Sequence, residues 1–177
     1  MTKIKKIPIL IIIIAVLSLF SAWILYPDYM SDDAFIHAGF INGLIDHHGF
    51  YFGNNLTYGI TSPLWTLICA AFVKLTSSPT VITIRLLSGL FTFLSIYGFY
   101  LLLKRVKITP FLIVTAVFSL AFNAYLLRWY LTGMEVGAAI FLIIFGFYLF
   151  LCENNKKKSF LAGLMLGCAS IVRPEAI

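Results

Sequence analysis

Charged side chains are scarce in this 177-residue sequence: they make up 11% of it, and only seven are acidic. Hydrophobic residues account for 61%, and the mean hydropathy is +0.98. Such a composition has too few polar groups to cover the surface of a soluble globular domain. Several apolar runs approach the roughly 20 residues that cross a bilayer core. The sequence therefore indicates an integral membrane protein.

Cysteine is also rare, and its three positions carry no metal-binding pattern. Cys69, Cys152 and Cys168 lie in separate apolar segments without the spacing of metal ligands. We therefore expect them to be small apolar side chains in helix or lipid contacts. A glycine-rich phosphate-binding loop is absent as well, which speaks against a nucleotide-sugar donor.

Most of the basic residues lie in short clusters between the apolar runs, at residues 3–6, 104–107 and 156–158. Clusters of this kind orient helices in a membrane, because loops rich in Lys and Arg are retained in the cytoplasm. We therefore expect a multi-pass protein with a cytoplasmic N-terminus. We expect no nucleic-acid partner, although the formal net charge is +6.

The predicted fold class is all-α, a polytopic helical membrane protein with about five transmembrane helices. Apolar runs place these helices at about residues 7–25, 80–103, 110–127, 134–152 and 159–172. Segment 63–76 is too short to cross a bilayer core comfortably. If it did cross, the basic cluster at 104–107 would lie on the external side, which the positive-inside rule disfavours. We therefore predict an external loop over 26–79 with two surface helices, at about 32–47 and 63–76. Because residues 1–177 stop just as a new polar turn begins, we expect them to be the N-terminal part of a larger protein.

One polar stretch, residues 26–63, interrupts the apolar sequence and contains two adjacent carboxylates, Asp32 and Asp33. A carboxylate can accept a proton from an attacking hydroxyl group. A pair of them can also hold a divalent cation such as Mg²⁺ or Mn²⁺ through oxygen ligands. Ser31 before the pair is a good helix N-cap, and acids in a first helical turn are favoured by the helix dipole. A catalytic site and an ordinary helix start both fit this pattern.

Four further residues are predicted to share the external face with this carboxylate pair: Ser62, Arg128, Glu135 and Arg173. The planar guanidinium of arginine donates paired hydrogen bonds to phosphate and stays charged. Arginine at the end of a span also snorkels to the interface without any ligand. Glu135 is equally compatible with a first-turn acid that the helix dipole favours. Arg85, one turn into its helix, is a weaker phosphate candidate.

Four short motifs occur in the order SDDAFI, GITSPLW, TGMEVGAAIF and VRPEA. This order resembles the N-terminal part of GT-C fold glycosyltransferases. It is most similar to the branch that depends on polyprenyl-phosphate sugars and includes mycobacterial terminal β-arabinofuranosyltransferases. Protein O-mannosyltransferases and lipid A aminoarabinose transferases are related to that branch. The resemblance extends over essentially the whole chain, which corresponds to only the N-terminal portion of such an enzyme.

The resemblance implies a role for the first external loop, which supplies a catalytic acid in these enzymes and carries surface helices. The catalytic role falls here on Asp32 and Asp33, and arginines such as Arg128 and Arg173 are expected to hold the donor phosphate. One position departs from the pattern. The aminoarabinose and mannosyl branches often have a lysine just before the proline of this loop, whereas this chain has Thr61 and Ser62.

The predicted function is transfer of a sugar from a polyprenyl-phosphate donor to a cell-envelope glycan, lipid or protein on the external side of the plasma membrane. The chain by itself is expected to be inactive, because the remaining helices of the site would be missing. A membrane transporter or a non-catalytic membrane subunit is the alternative, since carboxylates near a membrane mouth also bind coupling ions or substrates. The spans carry no acidic residue at mid-depth and no inverted repeat is evident, which speaks against a transporter.

Overall fold

The computed structural model describes residues 7–53, 55–57, 59–152 and 156–174. Within them the chain forms eight α-helices and one short β-hairpin. The helices are α1 (Ile7–Leu25), α2 (Asp32–His47), α3 (Pro63–Thr76), α4 (Thr80–Arg105), α5 (Pro110–Ala121), α6 (Ala124–Leu127), α7 (Val136–Phe150) and α8 (Lys156–Val172). The antiparallel strands are β1 (Tyr51–Phe52) and β2 (Asn55–Leu56). The all-α class is confirmed, and the hairpin is an addition that was not predicted.

Most helices begin and end close to the predicted positions, including the two predicted surface helices, which are α2 and α3. The predicted single helix over 110–127 is wrong. It breaks after Ala121, because the side chain of Asn123 accepts a hydrogen bond from the backbone of Leu126 at 3.1 Å and begins α6. A local side-chain cap here prevails over a continuous apolar pattern.

Two helices, α1 and α4, are long and apolar enough to cross a bilayer by length and composition. With 26 residues, α4 is about 39 Å long at the α-helical rise. The apolar helices α3, α5 and α7 are shorter, with 14, 12 and 15 residues. The basic cluster at residues 3–6 lies outside the described residues, as does Glu175.

The helices α4 and α7 run parallel to each other. Ser95 Oγ in the middle of α4 lies 2.8 Å from Gly137 O at the start of α7, and Arg105 Nε at the end of α4 donates to Leu151 O after α7 at 3.0 Å. Both helices therefore begin at one end of the molecule and finish at the other. The end where they begin is called the site end. The end where they finish contains residues 104–107 and is called the basic end.

The helices α1 and α8 run in the opposite direction. Arg85 near the start of α4 donates to the carbonyl of Pro27, just after α1, at 2.6 Å. At the end of α8, Arg173 meets Glu135, which precedes α7. The site end therefore contains the end of α1, the start of α4, the residues before α7 and the residues after α8.

Small side chains make many of the contacts between the long helices, while large apolar side chains face outwards. In α1, Ala15, Ser18 and Ala22 are buried, whereas Phe20 and Trp23 are more than half exposed. Other buried small residues are Ser88, Gly89, Thr92, Ser95 and Gly98 of α4 and Gly137, Ala138, Ala139 and Gly146 of α7. Large exposed apolar residues also occur on α4, α5, α7 and α8. This distribution is typical of helices that pack through small residues within lipid.

The first loop is held on the bundle by the apolar stripe of α2. Ala34, Ala38 and Ile41 are buried and Ile45 is half-buried. Ala38, Ile41 and Ile45 share a hydrophobic cluster with Trp65 of α3, which is fully buried. The stripe therefore fixes the first turn of α2, with its carboxylates, at the site end of the bundle.

Candidate active site

Four of the six predicted site residues line one polar cavity of about 250 Å³ at the site end. They are Asp33, Ser62, Glu135 and Arg173. Asp33 belongs to the first turn of α2, Ser62 precedes α3, Glu135 precedes α7 and Arg173 follows α8. Segments far apart in sequence therefore deliver polar groups to one place.

Glu135 is the centre of the charged contacts in this polar cavity. The residue is only 4% exposed, and its two carboxylate oxygens have different partners. His37 Nε2 donates to Oε2 at 3.2 Å, and Arg173 Nη1 donates to Oε1 at 3.3 Å. The carboxylate thus lies between a buried imidazole and a guanidinium whose side chain is 37% exposed.

The environment lowers the pKa of Glu135 below its ordinary value. Burial by itself raises this pKa, because the charged form loses contact with water. Hydrogen bonds from His37 and the backbone and the positive charge of Arg173 act in the other direction and outweigh burial. Glu135 is therefore ionised at neutral pH and accepts hydrogen bonds. It is suited to holding cationic or donor groups in place.

His37 was not predicted as a site residue. It lies one turn after Asp33 on the same face of α2, and it is only 4% exposed. Its Nδ1 atom is shielded from solvent and has no hydrogen-bond partner among the described residues. The four-residue spacing from Asp33 was the available signal. The other two histidines of the chain, His47 and His48, are exposed at the other end of α2.

The turn before Glu135 is fixed by tight packing. Gly133 has a φ of +82°, a conformation that costs little only for glycine. Trp65 Nε1 donates to its carbonyl at 3.2 Å. A Cβ atom at Gly133 would lie 2.9 Å from the side chain of Ile84, so α4 closes the space on the other side. These contacts hold Glu135 at the cavity.

Arg85 serves the fold at this end of the molecule. Its Nε donates to Leu131 O at 3.0 Å and its Nη2 donates to Pro27 O at 2.6 Å. It therefore ties the loop after α1 and the loop before α7 to α4. The weaker phosphate candidate of the sequence thus has two backbone carbonyls as partners, and it does not line the polar cavity.

A second cavity of about 340 Å³ adjoins the first and is mostly apolar. It shares Asp33, Met134 and Arg173 with the polar cavity. From there it follows α7 past Val136 to Ile143, a distance of about 10 Å along the helix. Tyr125, Trp129, Ala139 and Ile140 complete its wall. Asp33 and Arg173 therefore lie where the polar cavity meets the apolar cavity.

Asp32 and Arg128 line neither cavity. Asp32 is exposed in the first turn of α2, where Ser31 caps the helix by accepting a hydrogen bond from Ala34 N at 3.3 Å. Arg128 is exposed, with its guanidinium 4.5 Å from the ring centre of Tyr29. The carboxylate pair is thus divided, with Asp33 alone at the junction of the two cavities.

The chain matches no protein-family model, no curated protein and no solved structure at a significant level. The relationship to GT-C glycosyltransferases therefore stays a prediction from the four motifs.

The residues available to a cation at this site are few. Among the described residues, no group of three or more His, Cys, Asp or Glu side chains is placed to hold a metal ion. A Mg²⁺ or Mn²⁺ ion on Asp32 and Asp33 would have to complete its coordination with water or donor phosphate oxygens, as Mg²⁺ commonly does. The divalent cation stays a prediction.

Proposed function

We propose that this chain forms the N-terminal part of an integral-membrane glycosyltransferase. The enzyme transfers a sugar from a polyprenyl-phosphate donor to a cell-envelope glycan, lipid or protein on the external side of the plasma membrane. The observation that carries the proposal is the junction of the two cavities at Asp33 and Arg173. A donor of this class has the same division into an apolar chain, an anionic phosphate and a polar sugar.

The distribution of apolar surface supports a membrane location with five crossings, by α1, α4, the segment 110–127 that comprises α5 and α6, α7 and α8. In addition to α1 and α4, the shorter helices α5, α7 and α8 expose Phe111, Phe147 and Phe160, each by about half or more. Exposed apolar side chains on all five helices are costly in water and favourable in lipid.

The length of α4 supports the placement of the site at one membrane surface. Arg85 at the site end and Arg105 at the basic end are twenty residues apart, which is about 30 Å along a helix. This matches the roughly 30 Å hydrocarbon core of a bilayer. Because basic clusters are retained in the cytoplasm, the opposite end with Asp33 and Glu135 faces outside.

The proposed reaction assigns one task each to Asp33, Arg173 and Glu135. The acceptor hydroxyl oxygen bonds to the anomeric carbon as the bond from that carbon to the phosphate oxygen breaks. The polyprenyl phosphate leaves with the bonding electron pair, and Asp33 takes the hydroxyl proton as general base. Arg173 compensates the charge that develops on the leaving phosphate. Glu135 positions the Arg173 guanidinium through Nη1.

The test is substitution of Asp33 in the full-length protein, assayed in isolated membranes with labelled polyprenyl-phosphate arabinose and polyprenyl-phosphate mannose. Asp33→Asn keeps the shape of the side chain but removes the base. We expect turnover to fall by about 10²- to 10⁴-fold. Asp32→Asn should keep most of the activity, because Asp32 lines neither cavity.

Asp46→Asn is the matched control, since Asp46 is an exposed acid near the other end of α2. Its turnover should equal that of the wild-type protein. Turnover by Asp33→Asn at the wild-type rate would remove Asp33 from the mechanism. Movement of solute across reconstituted vesicles, with no conversion of either donor, would instead favour the transporter.

A further inference from the structure

The Nδ1 atom of His37, a residue that lines the polar cavity, has no task in the proposed reaction. The His37 side chain lines the cavity, yet Nδ1 is shielded from bulk solvent and has no hydrogen-bond partner among the described residues. A buried polar atom without a partner is uncommon in native proteins and often marks the place of a water or a ligand group.

The other nitrogen of the ring decides the chemistry of Nδ1. Nε2 lies 3.2 Å from Glu135 Oε2, and an ionised carboxylate only accepts hydrogen bonds, so Nε2 carries the proton. In a neutral imidazole one ring nitrogen donates a hydrogen bond and the other accepts one.

The neutral ring therefore presents an unprotonated Nδ1, which is a hydrogen-bond acceptor. The cavity that the His37 side chain lines has further polar residues in its wall, among them Thr61, Ser62 and Arg173. A neutral acceptor in a polar cavity suits a hydroxyl group better than it suits a phosphate, which has no proton to give at neutral pH. We propose that His37 Nδ1 accepts a hydrogen bond from a hydroxyl group of the sugar bound in the polar cavity. This inference rests on the proposed sugar transfer and adds a sugar-recognition residue to it.

The first experiment is His37→Gln in the full-length protein. The amide nitrogen of Gln reaches the position of Nε2 and keeps the contact with Glu135, whereas the acceptor at Nδ1 is lost. We expect the KM for one of the two substrates to rise by roughly 5- to 10-fold, because one neutral hydrogen bond is lost. We expect kcat to change less than two-fold. The contact is present both in the substrate complex and in the transition state. Its loss therefore weakens both equally, which raises KM and leaves kcat nearly unchanged.

The two substrates are varied separately, because the hydroxyl could belong to the donor sugar or to an acceptor glycan. A higher KM for the polyprenyl-phosphate sugar assigns the contact to the donor, and a higher KM for the acceptor assigns it to the acceptor. His47→Gln is the matched control, since His47 is exposed at the far end of α2, and it should change neither KM. Unchanged KM values in His37→Gln overturn the His37 contact and leave the sugar transfer standing. Wild-type protein without turnover overturns the sugar transfer, and the His37 contact with it.

A second measurement does not depend on the folding of a variant. In wild-type protein labelled with ¹⁵N-histidine, the His37 ring should show a protonated Nε2 and an unprotonated Nδ1. Addition of the polyprenyl-phosphate sugar or the acceptor should shift the Nδ1 resonance in the direction of hydrogen-bond acceptance. A proton on Nδ1 in the ligand-free protein, or no shift with either substrate, overturns the inference.

Discussion

Glu135 is a buried carboxylate with one partner on α2 and another after α8. Its acceptor oxygens orient both the His37 ring and the Arg173 guanidinium. Removal of its charge therefore disturbs two other side chains at once.

Glu135→Gln should lower the stability of the folded protein on the order of 1–3 kcal/mol at neutral pH, because a buried donor loses its charged acceptor. The pKa of Glu135 is lowered in the folded state. Its contribution is therefore complete above the ordinary value of 4.5. It disappears as the pH falls through the lower folded-state pKa. Thermal unfolding of both proteins across this range measures the difference.

The gap between the melting temperatures of wild type and Glu135→Gln should be constant near neutral pH and narrow at acidic pH. A gap that widens on acidification would contradict an ionised Glu135. Asp46→Asn is the control for general effects of carboxylate loss, since Asp46 is exposed.

Part of the candidate site could be predicted from single residues. Asp33, Ser62, Glu135 and Arg173 lie next to polar turns between apolar runs, and such turns meet at a membrane surface. His37 could not be found in this way, because its partner Glu135 is 98 residues away in sequence. A lone histidine inside an amphipathic helix looks like any other residue of its face until the packing is known.

At the scale of elements, the α4–α7 contact shows how closely these helices approach. A Cβ atom at Gly137 would lie 3.0 Å from the backbone nitrogen of Thr92 and 3.1 Å from the carbonyl oxygen of Ser88. Backbone atoms cannot move aside as a flexible side chain can. The start of α7, with Glu135 just before it, is therefore seated directly on α4.

Gly137→Ala should destabilise the protein by about 1–3 kcal/mol, because the added methyl group overpacks the contact between α4 and α7. Gly163→Ala is the matched control in α8, where a Cβ atom meets nothing within 4 Å. Alanine is the better helix former, so the control should be neutral or slightly stabilising. Thermal unfolding in detergent compares the two, and equal shifts would contradict the close approach.

Helix positions could be predicted because apolar runs and prolines are local signals. Pro63 and Pro110 begin α3 and α5 at the first helical turn. The break at Asn123 escaped prediction because one capping side chain lies within a long apolar run. The hairpin also escaped, since strands of two residues carry no alternation to detect.

At the scale of the whole molecule, the acidic groups of the site and the basic cluster at residues 104–107 lie at opposite ends of the bundle. Asp33 and Glu135 are at the site end, and residues 104–107 are at the basic end. The proposed five-span topology is argued from this separation and from the apolar outer surface. It is tested by the accessibility of single cysteines in intact cells.

Asn55→Cys and Ser159→Cys are introduced separately into a protein whose native cysteines have been replaced. Both positions are exposed, one in β2 and the other near the start of α8. An impermeant thiol reagent should label Asn55→Cys in intact cells and Ser159→Cys only after permeabilisation. Labelling of both from outside would contradict the topology and the external site.

The position of Glu135 in the chain has a consequence for biosynthesis. Its first partner, His37, leaves the ribosome before it, whereas Arg173 follows 38 residues later. Until α8 is synthesised, the carboxylate has only the imidazole beside it. The contacts of Glu135 are therefore completed by a later segment of the nascent chain, when Arg173 arrives at the end of α8.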